Sequence, residues 1–337
     1  MVLPNVLKYF PVRLGAWMMI ANFCVIGASF GDVKIAVIGK TKNDSFYEQA
    51  FQGCQALAKK KSDVTCLYDG PTDYQDVRSQ VNVVQQMLET DVDALLISTT
   101  ESKALVERAL KLAQYRGIPV VTFDSDLEEE DQSYRLAYVG TNNFDFGVAL
   151  GRYAQRFKTD GINNICIQSG SQRTPNLNER IKGVRFALSG NRSNKKLEGE
   201  NGWREHHRCP FYTLGKRDRA LSQLEFILAQ PERSVFLAVA GFAQFSPDYI
   251  ETIIPYQNRI EANNVVIISA DAEEIQLKAL ELKLSTVNIG QRPFEMGRVG
   301  ASLLYDYLVH NKKPDKEINF LGFYYCHEDR GVQCSFD

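Results

Sequence analysis

From Lys34 onward the chain alternates short, unbroken apolar runs with longer segments in which apolar residues recur every three or four positions. The runs Lys34 to Gly39, Val64 to Tyr68 and Ala94 to Ser98 are followed by helical segments Ser45 to Lys60, Tyr74 to Thr90 and Lys103 to Tyr115. Within the second of these, Val77, Val81, Val84 and Leu88 line one helical face. Strands without a polar alternation are buried on both faces, so the pattern predicts parallel sheets covered by helices and joined by right-handed crossovers. After a strand at Leu136 to Val139, a polar turn at Gly140 to Asn143 and a helix at Phe144 to Phe157, the alternation restarts. It has strands at Asn164 to Gln168, Arg204 to Arg208, Val235 to Ala240 and Val265 to Ala270, and helices at Leu177 to Leu188, Arg219 to Ala229, Pro247 to Asn263 and Glu273 to Leu282. A short extended piece at Ser285 to Gly290 and a long helix at Arg292 to His310 close it. A chain of 337 residues suits two domains better than one. The expected fold class is therefore α/β, with two doubly wound parallel-sheet domains.

Two of the runs end on an aspartate. Val120 to Phe123, introduced by Gly117-Ile118-Pro119, stops at Asp124, and Val265 to Ala270 stops at Asp271. Ligands of open parallel sheets bind beyond the strands' carboxyl ends, so these aspartates predict a cleft with a carboxylate on each wall. The plainer alternative is a turn-forming aspartate at a strand end. The acidic stretch Asp126 to Asp131 and the polar run Asn191 to Lys196 read as solvated loops without chemistry.

A formal net charge of −2 and the lack of a basic block argue against nucleic acid as a partner. Lys8 and Arg13 precede the apolar stretch Leu14 to Phe30, which closes on Gly27, Ala28 and Ser29. Residues 1–30 thus read as a signal peptide directing secretion across the inner membrane to the periplasm, with an uncleaved anchor as the alternative. Of seven cysteines, Cys24 lies in that leader. The remaining six are an even set that can pair in an oxidising compartment: Cys54 with Cys66, Cys166 with Cys209 and Cys326 with Cys334, taken as neighbours. Sequence does not fix this connectivity, and six buried free thiols are the alternative. The spacings match no zinc pattern, His206-His207 has no companion motif, and no cofactor or metal is expected. From Lys34 onward the sequence carries no Gly-x-Ser-x-Gly elbow or Walker loop, so an enzyme is not expected, although two carboxylates could serve a glycosidase.

Lys34 to Gly39 followed by Asn43-Asp44-Ser45-Phe46-Tyr47 and Gly53 resembles the opening of the type I periplasmic sugar-binding proteins, the ribose- and galactose-binding group. The likeness continues through Gly117 to Asp124, Asn176 to Gly183, Ile268 to Asp271 and Gln291-Arg292-Pro293 to Gly297. The resemblance implies two domains joined by three hinge strands, crossing near Asn142, Gln291 and Phe320. It implies an N-terminal domain of 32–141 plus 292–319 and a C-terminal domain of 142–291 plus 320–337. It also implies that Asp124, Arg180, Asp271 and Gln291 are polar ligand contacts with Phe46 and Tyr47 as stacking aromatics, while Asn176 and Arg173, shortly before Arg180, are second-rank candidates. Carboxylates accept from vicinal hydroxyls, a guanidinium donates a fixed fork, and aromatic rings cover a sugar's apolar face. For Arg180 the alternative is a surface ion pair, for Gln291 a polar helix flank, and for the aromatics simple core packing. Lys40 and Asp44 depart from the neutral residues usual in that first loop, Ser125 stands where an arginine is frequent, and Gly241-Phe242 where an asparagine is. Lys40 with Arg180 could hold an anionic ligand, or Lys40 could pair with Asp44 and need none. The implied function is a monomeric periplasmic solute-binding protein that delivers a small, polar, sugar-like ligand to a membrane permease of an ABC transporter. The alternative is a ligand sensor signalling to a membrane sensor kinase or chemoreceptor. A sugar-sensing repressor would need a helix-turn-helix module ahead of Lys34, where the leader stands instead.

Overall fold

The computed structural model describes residue 1, residues 32–328 and residues 331–336. Apart from Met1 the expected leader, with Cys24, lies outside the described residues. The first part of the chain folds as β1 (Val33–Ile38), α1 (Ser45–Ala58), β2 (Val64–Asp69), α2 (Val77–Glu89), β3 (Ala94–Ile97), α3 (Ser102–Leu105), α4 (Lys111–Tyr115), β4 (Val120–Phe123) and β5 (Ala137–Gly140). The second part follows as α5 (Asn143–Gln155), β6 (Asn163–Ser169), α6 (Pro175–Ser189), β7 (Trp203–Glu205), β8 (Phe211–Tyr212), α7 (Arg217–Leu228), β9 (Ser234–Ala238), α8 (Tyr249–Ile253), α9 (Gln257–Glu261), β10 (Val265–Ala270), α10 (Glu274–Glu281) and β11 (Val287–Gly290). Then come α11 (Pro293–His310), β12 (Ile318–Phe320), β13 (Tyr324–Glu328) and β14 (Val332–Phe336).

These strands form two sheets, and with their helices two α/β domains. The first sheet has the order β12-β5-β4-β3-β1-β2 and is parallel throughout. The second has the order β14-β13-β11-β10-β9-β6-β7, with β8 also on β6; its β7 to β11 pairings are parallel, and the β13-β14 hairpin adds antiparallel strands at one edge. In each sheet the strand order reverses once, between β1 and β3 and between β6 and β9, which opens a crevice at the carboxyl ends. The chain passes between the sheets at 141–142, 291–292 and 321–323.

The strands are as buried as their composition requires: every residue of β3, β4, β5, β9, β10 and β11 is buried. Helix pairs α1/α11 and α5/α6 cross closely because a glycine sits at each contact. A Cβ on Gly297 would run into the backbone of Ala50, and one on Gly147 into the backbone of Arg180.

Four local expectations change. Tyr74 precedes α2 rather than opening it, because Gln75 takes a positive φ of 61° and Asp76 caps the helix by accepting from the Ser79 amide. The segment at Lys103 to Tyr115 holds a π-helical stretch, Val106–Leu110, between α3 and α4. The helix at Pro247 to Asn263 is broken at Pro255, whose ring cannot continue an α-helical ladder. The expected strand at Arg204 to Arg208 is only the short β7. Disulfides join Cys54–Cys66, Cys166–Cys209 and Cys326–Cys334, the neighbour pairing, rather than leaving six thiols free. The Cys166–Cys209 link spans 43 residues and closes the longest loop of the three, so in the chain-entropy model it constrains the unfolded chain most.

Candidate functional site

Side chains from the carboxyl ends of both sheets converge on one cavity of about 40 Å³, a volume that holds a few water molecules. Lys40 follows β1, Tyr74 and Gln75 follow β2, and Asp124 follows β4. From the other sheet, Asn176 and Arg180 come from α6 after β6, Gly241 and Phe242 from the loop after β9, Asp271 from the end of β10 and Gln291 from the end of β11. Asp124 and Asp271 both take positive φ, 58° and 69°. They are the left-handed turn residues that the plainer reading expects, and aspartate tolerates that conformation better than most residues. The same backbone turn places both carboxylates in the cavity lining.

Asp124 is held by a crowd of donors. Ser98 Oγ donates to its Oδ2 at 2.8 Å and Tyr47 OH at 3.3 Å, Asn176 Nδ2 donates to its Oδ1 at 3.3 Å, and Lys40 Nζ lies 3.2 Å from its Oδ2. Burial works against its ionised form, but Lys40, Arg180 and the Ser98 hydroxyl outweigh it and hold the carboxyl below its ordinary value. Burial pulls the Lys40 ammonium below its own usual range, against the opposing pull of Asp124. Lys40 also donates across the cleft to Asn176 Oδ1 at 3.1 Å.

Arg180 is 1 % exposed, which rules out a surface ion pair. Its Nε donates to Asn143 Oδ1 at 2.9 Å, one terminal nitrogen to the Val239 carbonyl at 2.9 Å and the other to Gln291 Oε1 at 2.8 Å, and it stacks 4.6 Å over the Phe146 ring. Gln291 is more than a helix flank: its Oε1 also accepts from Thr141 Oγ1 at 2.8 Å, and its Nε2 donates to Asp271 Oδ1 at 2.8 Å. Thr141 and Gln291 lie on two of the three crossings. Asp271 has only one other donor among the described residues, the Gly241 amide at 3.4 Å. Burial raises its carboxyl above the ordinary range, only partly offset by Arg180 and Gln291.

Asp44 caps α1 by accepting from the Phe46 amide at 2.9 Å, takes a 2.6 Å hydrogen bond from Tyr74 OH and lies 3.5 Å from Arg217. Burial still raises its carboxyl. The alternative pairing of Lys40 with Asp44 is thus not the one formed, because Lys40 turns to Asp124 while Asp44 serves the helix end. Phe46 and Tyr47 line the cavity and are also part of the first domain's hydrophobic core. Sequence reasoning missed Tyr74, Gln75, Phe245, Ser98 and Arg217. Tyr74 meets Phe242 edge-on at 5.2 Å, and Thr174 donates to Gln75 Oε1 at 2.7 Å. The signal for Tyr74, Gln75 and Ser98 was present, since each follows the carboxyl end of a strand, as the two aspartates do.

A family model described as "Periplasmic binding protein domain" matches residues 35–313. The chain is 30 % identical over 160 residues to the D-ribose/D-allose-binding protein of Pseudomonas aeruginosa, a match covering 46 % of this chain and 49 % of that protein, so it spans about half the relative's length. It is 23 % identical over 297 residues to the ribose import binding protein RbsB of Bacillus subtilis, covering 86 % and 87 % of the two chains. Among solved structures it is similar to an ABC transporter solute binding protein from Agrobacterium vitis bound with α-D-tagatopyranose, with a TM-score of 0.75, 20 % identity, and 88 % and 94 % of the chains covered.

Proposed function

The chain belongs to the periplasmic binding protein domain family, and from that premise we propose that it is a secreted solute-binding protein that closes two domains over a small uncharged polyhydroxy ligand. The ligand class is a sugar or sugar derivative, handed to the permease of an ABC transporter. Binding and release are its work, without catalysis, and it acts as a monomer. The N-terminal domain is 32–141 plus 292–319, the C-terminal domain 142–291 plus 320–337, and the crossings between them act as hinges. Lys40, Asp44, Phe46, Tyr47, Asp124, Asn176, Arg180, Asp271 and Gln291 hold the ligand. The relatives named for ribose and allose support a sugar over other solutes.

The observation that carries this reading is the convergence of polar side chains from the carboxyl ends of two sheets on one cavity. Such a cleft closes when a ligand contacts both walls at once. The uncharged class follows from the charges already present. Lys40 and Arg180 both pair with Asp124, Arg217 pairs with Asp44, and Arg180 acts on Asp271 from beyond ion-pair distance, so three cations balance three carboxylates and no charge is left for a ligand to neutralise. A sugar acid would bring an unpaired anion into a low-dielectric site. A cavity of about 40 Å³ means that the cross-cleft contacts, such as Lys40 with Asn176, part before a sugar enters.

Thermal melting with D-ribose, D-allose and D-tagatose, beside the aldonic acids of ribose and allose, tests this. A neutral sugar should raise the melting temperature logarithmically with its concentration, by the equivalent of about 2.7 kcal/mol at a hundred times its Kd. Stabilisation by the acids with none by the neutral sugars would reject the uncharged class.

A further inference from the structure

Outside the cavity, one side chain of the second domain grips the first. Glu273 stands between β10 and α10 and caps α10 in a box with Gln276. Its Oε2 reaches α1, where it accepts from Ser45 Oγ at 2.9 Å and from Gln49 Nε2 at 2.5 Å. The partners lie 228 and 224 residues away along the chain, so the contact exists only while the domains are together.

We propose that Glu273 is a proton-operated latch: it holds the two domains closed more firmly when protonated, and thereby couples ligand affinity to pH. This rests on the proposed closing of two domains. Ser45 and Gln49 are neutral donors, so α1 offers the carboxylate hydrogen bonds but no counterion. Asp271, at the end of β10, and Asp44, at the end of α1, both repel its ionised form. Tyr324 on β13 and Glu274, Lys278 and Glu281 on α10 line the adjoining surface groove of about 1230 Å³, through which water and protons reach the latch. Burial, with the help of the two aspartates, pushes the Glu273 carboxyl up to about 7, against the Ser45 and Gln49 hydrogen bonds.

Opening returns the carboxyl to water and to its ordinary value of 4.5. The closed form therefore takes up a proton between those two values, and closure is penalised as pH rises through them and levels off above about 7. With these limits, the closed-to-open ratio is about tenfold larger at pH 6 than at pH 8.

Small-angle scattering of the sugar-free protein and calorimetric titration with D-ribose, both at pH 6 and pH 8, test the latch. In the wild type the radius of gyration should fall from pH 8 to pH 6 and ribose should bind about tenfold more tightly. Glu273→Gln, which keeps the shape and the helix cap but cannot ionise, should lose this dependence and match the wild type's tighter state at both pH values. Gln49→Leu keeps Glu273 and removes a donor that favours the ionised form, so the midpoint of the transition should move upward. The proposal is overturned if scattering is independent of pH in the wild type, if Glu273→Gln keeps the wild-type dependence, or if Gln49→Leu leaves the midpoint in place. If ribose fails to bind while the scattering still shifts, the sugar assignment fails and the latch stands.

Discussion

Asp124 and Asp271 are the same residue in the same left-handed turn at the same end of matching strands, one in each domain, yet their surroundings set them to opposite tasks. Asp124 has an ammonium at 3.2 Å, a guanidinium at 3.9 Å and three neutral donors, and its carboxyl is held low. Among the described residues Asp271 has one short hydrogen bond and one long one and no cation within 4 Å, and its carboxyl is raised. The first is an anchor that fixes the residues around it and accepts from a ligand only once a cross-cleft donor such as Asn176 parts from it. The second keeps acceptor capacity for an incoming hydroxyl, because a carboxylate offers about four lone-pair sites. The matching strand ends thus say where the carboxylates stand, and the neighbours decide what each does.

The largest expected effect breaks the anchor. Asp124→Asn leaves Lys40 and Arg180 buried without their shared counterion, so unfolding in urea should show a loss of about 3–5 kcal/mol at pH 7. Because the folded-state carboxyl of Asp124 is depressed, its stabilisation is present above the ordinary carboxylate range and fades as pH falls. The gap between wild type and variant should therefore narrow toward acid. A smaller loss, about 1–3 kcal/mol, is expected of Lys40→Met, since Asp124 keeps its Ser98, Tyr47 and Asn176 donors. The same variant should show acid unfolding at higher pH. Asp271→Asn should change stability least, by about 0–1 kcal/mol and in the favourable direction at pH 7, because it removes a buried charge with no close cation. Its raised carboxyl is penalised at neutral pH and relieved as pH falls, so any gain should vanish toward acid.

Much of this was legible in the sequence. Unbroken runs such as Ala94 to Ile97 and Val265 to Ala270 have one stable use, a strand covered on both faces, and the strand-end rule led directly to Asp124 and Asp271. The partners of those residues were not legible. Lys40 has Asp44 four positions away, but its hydrogen bond goes to Asn176, 136 positions away, and a local pattern carries no record of such a choice. Tyr74 was read as helix because Val77 to Leu88 carries a clear helical period, and only the positive φ at Gln75 frees it to reach Asp44. Glu273 read as an ordinary helix residue, since its cross-domain partners on α1 precede it by more than two hundred positions.

The most direct test of the division between the two aspartates is the melting temperature of the wild type and Asp271→Asn, each with and without saturating D-ribose. The account predicts near-equal melting without sugar and a ribose-induced rise in the wild type that is largely lost in the variant. An equal rise in both proteins, or a collapse of the sugar-free variant, would contradict it.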